Sequence, residues 1–119
     1  EKRALLADSL NKLDNEFLEK INRLIEDRLS SEKIDIGYLA DNMCMSKSTL
    51  YRKMKALTGL STNEYVRKIK MQYAERLLLE GRYNVSEIAF RVGINSVVYF
   101  RQCFKEEFGV LPSDYLKQP

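Results

Sequence analysis

The chain has 119 residues, of which 45% are apolar and 31% are charged, and its formal net charge is +3. This length suffices for one domain or for two small lobes that share a core, and there is no run of about 18 apolar residues that could span a membrane. The sequence has no histidine, no glycine-rich phosphate loop and no nucleophile beside a plausible base. We therefore expect no enzyme activity, no cofactor and no metal site.

The first predicted helix has an uncertain start. Residues 1–13 hold four leucines among charged residues, and they either extend a helix or form a tail from an upstream linker. Asp14 is the predicted N-cap of a helix that runs to about Leu29 and that residues 30–32 then break. The chain begins without a methionine, so we expect a fragment of a longer protein.

A short helix capped by Asp35 and a turn at Cys44–Met45 lead into a longer helix, which is capped by Ser46 and ends at Gly59. Drawn at 100° per residue, this longer helix has two faces. The inward face is apolar and consists of Leu50, Met54 and Leu57. The outward face is polar, with no acidic residue in the helix, and consists of Ser48, Arg52 and Lys55. Such a helix buries one side and offers the other to an anion.

The second half of the chain continues with caps and glycine stops. Ser61 and Glu64 form a capping box that opens a long helix ending at Gly81. Asn84 and Glu87 open another short helix in the same way. After a turn, a further helix runs from residue 96 to residue 108, and a last short helix starts at residue 112.

The strongest pattern is an internal repeat with an offset of 49 to 50 residues. The short-helix residues Leu39-Ala40 and Met43 recur as Ile88-Ala89 and Val92. The second copy has one extra residue in the turn between its two helices. Beyond that turn, the repeat continues from Ser46, Leu50, Met54, Gly59 and Tyr65 to Ser96, Phe100, Phe104, Gly109 and Tyr115. Each copy is a short helix, a tight turn and a longer capped helix, which is the layout of a helix-turn-helix.

Almost no segment alternates with a period of two, so we predict an all-α fold of about seven helices. Two helix-turn-helix subdomains, at 14–60 and 82–119, are joined by a linker helix within 61–81, and residues 1–13 precede them as a linker or tail. The linker helix is about 27 Å long, and successive major grooves of B-DNA lie about 34 Å apart. A spacer of this length could place both long helices in adjacent grooves.

Positive charge is concentrated around the first long helix. Residues 36–82 carry a net charge of +5, residues 1–35 carry −2, and residues 83–119 are neutral. This asymmetry favours a polyanionic partner.

The outward residues of the second long helix are Val98, Gln102 and Lys105, equivalent to Ser48, Arg52 and Lys55 in the first. Arginine can pair with guanine, glutamine with adenine, and valine can contact a thymine methyl group. The lysines and the helix N-termini suit phosphates instead. The expected backbone contacts, with the flanking Tyr51 included, are Ser46, Lys47, Tyr51, Lys55, Ser96 and Lys105.

With these residues identified, the chain resembles the DNA-binding domain of the AraC/XylS family of bacterial transcription regulators over about residues 14–118. The most specific part is a series of short matches in the second half: Ala89–Gly93, Tyr99-Phe100, Phe104-Lys105, Phe108-Gly109, Pro112-Ser113 and Tyr115. The first half agrees through Leu39-Ala40, Ser46, Leu50, Arg52–Lys55 and Thr58-Gly59. Residues 50–70 and 77–94 are also similar in sequence to the C-terminal regulator domain of hybrid two-component sensors in gut Bacteroidetes.

The resemblance implies sequence-specific binding to double-stranded promoter DNA, which regulates transcription in the bacterial cytoplasm. The implied base-reading positions are Ser48, Thr49, Arg52, Val98, Arg101 and Gln102. The implied partners are DNA, RNA polymerase, and an upstream sensor or receiver domain outside this chain, through which a dimer could also form. No membrane contact by this domain is expected.

Three departures from the family pattern stand out. Cys44 replaces a small residue, often glycine, in the first turn, and Ile94 replaces an aromatic residue after Gly93. Val97-Val98 makes the start of the second long helix unusually apolar, which weakens hydrogen-bonded readout there.

Two other functions would also fit the basic residues. A helical module that binds an acidic protein through the Arg52 face would also fit, and the Val98 patch would suit it. A membrane-surface helix using the cations of the linker helix is a third interpretation.

Cys44 and Cys103 are expected to be small buried apolar residues in a reducing compartment.

Overall fold

The computed structural model describes residues 2–31 and 33–117, with their side chains except those of residues 2–8 and 10. Over these residues the chain forms seven α-helices and no strand, which confirms the predicted all-α fold. The helices are α1 (Lys2–Asp27), α2 (Ile36–Asn42), α3 (Lys47–Thr58), α4 (Thr62–Glu80), α5 (Val85–Arg91), α6 (Val97–Phe108) and α7 (Pro112–Tyr115). None of the helices in the described part of the chain is long and apolar enough to cross a membrane.

Helix α1 differs from its prediction at both ends. It begins at Lys2, so the N-cap predicted at Asp14 is wrong, and it ends at Asp27 rather than near Leu29. Residues 2–13 are rich in leucine, alanine, lysine and arginine, which have high helix propensity. The helix therefore includes this segment and continues through Asp14. Residue 1, residue 32 and the leucine side chains at positions 5, 6 and 10 lie outside the described part.

The other predicted caps are confirmed. In each case the side chain of the capping residue accepts a hydrogen bond from a backbone N–H in the first turn: Asp35, Ser46, Ser61, Asn84 and Ser96. The two predicted capping boxes are both complete. In the first box, hydrogen bonds with Ser61 hold the pKa of the Glu64 carboxyl below its ordinary value. Local polar chemistry therefore sets where these helices begin.

The buried side chains form two apolar clusters, and α4 contributes to both. Val66 and Ile69 pack in the first cluster with α1, α2 and α3. Met71, Ala74 and Leu78 pack in the second with α5 and α6. Since the apolar residues of α4 are used in both clusters, α4 does not offer the free apolar face that a membrane-surface helix needs.

Lys70 in the middle of α4 joins three parts of the fold. Its side chain is buried, with 5% exposed, and its Nζ donates a hydrogen bond of 2.7 Å to the backbone oxygen of Ser31. Gly93 lies against the same oxygen, so that a Cβ atom built on Gly93 would be only 2.3 Å away from it. The segment after α1, the linker helix and the second helix-turn-helix turn therefore meet at one carbonyl group.

The two helix-turn-helix turns have the same backbone geometry despite their different sequences. Cys44 and Gly93 both adopt a left-handed conformation, with φ of 57° and 76°. In each turn the next residue closes a six-residue hydrogen bond, from Met45 N to Ala40 O at 3.1 Å and from Ile94 N to Ala89 O at 2.9 Å. These are Schellman C-caps. The extra residue of the second copy is therefore Asn95, which follows the shared motif.

The left-handed turn explains why the prediction for Cys44 is wrong. The Cys44 side chain is exposed, whereas Cys103 is buried as expected. A residue that ends a Schellman motif leaves the helix surface at that point, so the helical spacing that suggested burial no longer applies.

Replacing Cys44 by glycine should stabilise the protein by about 0.5–1 kcal/mol, because an L-residue in the left-handed region costs roughly 1–2 kcal/mol and glycine loses part of that gain to chain entropy. The Cys44→Ala variant keeps a Cβ atom at the same φ and should change the free energy of unfolding by less than about 0.5 kcal/mol. Urea unfolding followed by circular dichroism under reducing conditions measures both. Equal stability of the two variants would contradict backbone strain at Cys44.

Replacing Gly93 by alanine should destabilise the protein by more than about 2 kcal/mol, because the new Cβ would overlap the backbone oxygen of Ser31. The matched control is Gly59→Ala, which has the same φ of 76° but nothing within 4 Å of the new Cβ. The control should lose only the roughly 1–2 kcal/mol of left-handed strain. Similar losses of unfolding free energy in both variants would show that overlap with the Ser31 oxygen does not destabilise the protein.

Candidate nucleic-acid interface

Helix α3 buries one face and exposes the other, as predicted. Leu50 and Met54 are fully buried, and Leu57 is partly buried against the first cluster. Ser48, Arg52 and Lys55 are exposed. The ion pairs found in the described part of the chain do not involve α3, although the charge of Lys55 helps to lower the pKa of the Glu64 carboxyl.

A short series of hydrogen bonds holds Arg52 against the first turn of α3. The Ser46 hydroxyl donates to Thr49 Oγ1 at 2.9 Å, and Arg52 Nη2 donates to the same oxygen at 3.4 Å. Thr49 is half-buried, while Arg52 is exposed. The guanidinium therefore leans toward the N-terminal end of the helix, where helix-turn-helix proteins present side chains to bases.

Lys53 lies apart from this outward face. Its Nζ sits 4.7 Å from the ring centre of Phe17 on α1, in a cation–π contact. It is half-buried there, so of the basic residues in α3 it is the one committed to packing.

Helix α6 repeats the construction of α3 with different chemistry. Phe100, Cys103 and Phe104 are buried, and the Ser96 hydroxyl accepts a hydrogen bond from Tyr99 N at 3.2 Å. The exposed residues include Val98, whose surface is 75% exposed. Arg101, Gln102 and Lys105 are exposed as well. Helices α3 and α6 are the second helices of the two helix-turn-helix units, and we call them the recognition helices. Each has 12 residues and ends at a left-handed glycine.

The remaining predicted contact residues also lie at the surface. Ser46, Lys47, Tyr51 and Ser96 are all exposed. Of the predicted set, Thr49 alone is half-buried. The structure therefore leaves room for a partner at each predicted position.

The helical spacing of Tyr65, Tyr73, Tyr99 and Tyr115 predicts core positions for all four, and for Tyr99 this prediction is wrong. Its side chain is 48% exposed. A hydrogen bond with the Tyr99 hydroxyl raises the pKa of the Arg67 guanidinium, which connects the first turn of α6 to the linker helix. Tyr65, Tyr73 and Tyr115 are half-buried, in agreement with the core role expected of them.

Two exposed ion pairs in the described part of the chain link α6 and α4. Arg67 lies 3.9 Å from Glu106, and Lys68 lies 3.4 Å from Glu107. These pairs place the acidic residues of α6 at its C-terminal end, beside the linker helix. The N-terminal half of α6, which carries Val98 and Gln102, therefore keeps Arg101 as its one formal charge.

A surface depression lies between the first turns of the two recognition helices. One cavity of about 250 Å³ is lined by residues that include Lys33, Asn63, Arg67 and Tyr99. An adjoining cavity shares Lys33 and Asn63 and reaches Lys47 at the start of α3. No sequence pattern indicates this depression, because Lys33 and Asn63 belong to no motif and Arg67 is one of several cations on the linker helix.

Comparison with known proteins identifies the family. A model of the helix-turn-helix domain family matches residues 39–118. A histidine kinase, P4, from Formosa agariphila is 32% identical over 107 residues, which cover 90% of this chain but only 8% of the kinase. The chain therefore spans less than a tenth of the length of that relative.

Two solved structures share the fold. One is the C-terminal domain of AraT, a response regulator from Geobacillus stearothermophilus, with a TM-score of 0.74, 30% identity, and coverage of 85% of this chain and 84% of that one. The other is the DNA-binding domain of the global transcriptional factor AdpA in complex with a target DNA, with a TM-score of 0.72, 30% identity, and coverage of 82% and 87%. The chain belongs to the AraC family of helix-turn-helix domains, which are DNA-binding regulators of transcription.

Proposed function

We propose that the chain binds specific promoter sequences in double-stranded DNA by placing α3 and α6 in successive major grooves. The observation that carries this proposal is the repeated construction: two 12-residue helices, each capped by serine, each with an exposed outward face, joined by one helix of 19 residues. A helix of that length spans about 28 Å. Because α4 packs into both apolar clusters, it holds the two recognition helices as parts of one body. The corresponding subdomains are residues 14–60 and 82–119, with 61–81 as the linker.

The two recognition helices would read different bases. In α3, Ser48 and Arg52 contact base edges, and the fork of the Arg52 guanidinium suits guanine. In α6, Gln102 suits adenine and the exposed Val98 suits a thymine methyl group, with Arg101 as a further base contact. Thr49 is half-buried and accepts a hydrogen bond from Arg52, so it acts in part by positioning that side chain.

Backbone contacts would come from the helix starts and from the lysines. Ser46 and Ser96 place free N–H groups of a first turn toward phosphates. Lys47, Tyr51, Lys55 and Lys105 are exposed beside the outward faces. These contacts set the register on the duplex without reading sequence.

The similarity to a histidine kinase and to a response regulator domain supports a place in two-component signalling. In that arrangement a sensor or receiver domain elsewhere in a longer protein would control this domain in the cytoplasm. RNA polymerase would be the next partner at the promoter, and dimers would form through those other domains.

The decisive experiment is selection from random duplex DNA followed by sequencing. Two short enriched blocks with centres about 10–10.5 base pairs apart would support two helices in successive grooves. One enriched block would restrict sequence reading to α3. No enrichment and no dependence of binding on salt would overturn the proposal and favour a protein-binding module.

Arg52→Ala and Lys55→Ala separate base reading from backbone contact. Loss of Arg52 should cost about 1–3 kcal/mol on the selected site and relax base preference at one position. Loss of Lys55 should weaken all sequences similarly and lower the slope of log K against log salt by about 0.9. Fluorescence anisotropy with selected and scrambled duplexes measures both. An equal effect of Arg52→Ala on the two duplexes would contradict its role as a base reader.

A further inference from the structure

The depression between the recognition helices has features that base reading does not use. It is bordered by the first turn of α3 through Lys47 and by the first turn of α6 through Tyr99. Its walls come from the loop before α2, from the start of α4 and from Ile94 in the second turn. The depression therefore occupies the gap between the two helix starts.

Basic side chains from several elements line the depression. Lys33 is exposed, and the Arg67 side chain is 44% exposed even though it lies near Glu106. Lys70 lines the floor of the depression while it donates to the Ser31 oxygen. Two of the described carboxylates line it, and each accepts a backbone hydrogen bond at a helix start: Glu64 from the N–H of Ser61 at 3.3 Å, and Asp35 from the N–H of Gly37 at 2.9 Å. Lys33, Lys47 and Arg67 are exposed cations along the same surface.

We propose that this depression is a third DNA-contact site, which binds backbone phosphates of the spacer between the two base-reading blocks through Lys33, Asn63 and Arg67. This inference rests on the proposed function, since it needs α3 and α6 in successive major grooves. The DNA that runs from one groove to the next then passes over the gap between the helix starts. It presents its minor groove there, flanked by the two phosphate backbones.

The chemistry of the three side chains fits phosphate better than base edges. Lysine offers three rotatable donors, the asparagine amide offers two, and arginine offers a fork that matches two phosphate oxygens. At 3.9 Å the ion pair between Arg67 and Glu106 is loose and exposed. Because the guanidinium has five N–H donors, its interactions with Glu106 and Tyr99 leave donors for a phosphate. Such contacts carry no base identity, but they hold the spacer close to the protein.

The test uses the two-block duplex from the selection, with and without neutral methylphosphonates in place of the spacer phosphates. For the unmodified protein, neutralising the spacer should weaken binding and lower the slope of log K against log salt by about 0.9 per lost contact. The double variant Lys33→Gln with Arg67→Gln should already show a slope lower by about 1.8. Between 50 and 200 mM salt, the unmodified protein should thus lose roughly twelvefold more affinity than the double variant. Neutral phosphates should then have little further effect on the double variant.

Controls keep this result interpretable. Lys12→Gln removes one positive charge from an exposed position on α1, ahead of the buried Phe17, and should leave affinity and slope unchanged. Arg67→Lys keeps the charge and should retain most of the slope. Thermal unfolding reports whether the double variant is folded, and the methylphosphonate comparison needs no variant at all.

The outcomes distinguish the spacer site from the proposed function. If selection yields two blocks but neutral spacer phosphates cost nothing, the spacer site is overturned while groove reading stands. If the double variant and Lys12→Gln lower the slope equally, the effect is one of total charge, and the site is again overturned. If selection yields a single block, the placement of both helices in successive grooves fails, and the spacer site fails with it. If nothing is enriched and binding does not depend on salt, the proposed DNA binding itself fails.

Discussion

The backbone oxygen of Ser31 is the point on which the arrangement of the two halves depends. Lys70 donates to it from α4, and Gly93 packs against it from the second turn, so only a residue without a Cβ atom fits there. A buried lysine is costly unless its charge is satisfied, and a carbonyl just after a helix C-terminus is a favourable partner. This contact orients the second helix-turn-helix against α1 and α4, and thereby the outward face of α6 against that of α3.

Local features of the fold are predictable from the sequence because their causes lie within a few residues. Caps at Ser46 and Asn84 need only a side-chain oxygen and an N–H three residues later, and both are present in the structure. The inward and outward faces of α3 and α6 follow from helical periodicity alone. For this reason the exposure of Arg52 and Gln102 could be predicted, as could the burial of Leu50 and Phe100.

Features that depend on distant parts of the chain could not be predicted. Cys44 is a local exception: cysteine has no preference for the left-handed conformation, although the repeat places it opposite Gly93, and the hydrogen bonds of the turn decide its backbone. The half-burial of Thr49 and the commitment of Lys53 to Phe17 become visible only once the first turn of α3 and helix α1 are in place. The depression lined by Lys33 and Asn63 joins residues 30 positions apart, and no periodicity connects them.

The unlike chemistry of α3 and α6 has a consequence for how the chain lies along a promoter. A pair of identical helices related by two-fold symmetry reads the same in both directions. Here a cationic helix and a largely apolar one are fixed in order on a single chain, with Asn95 adding a residue to one turn only. With the proposed function, each DNA site therefore has a defined direction along the duplex. Inverting the site would turn α1 to the opposite end while preserving every base contact.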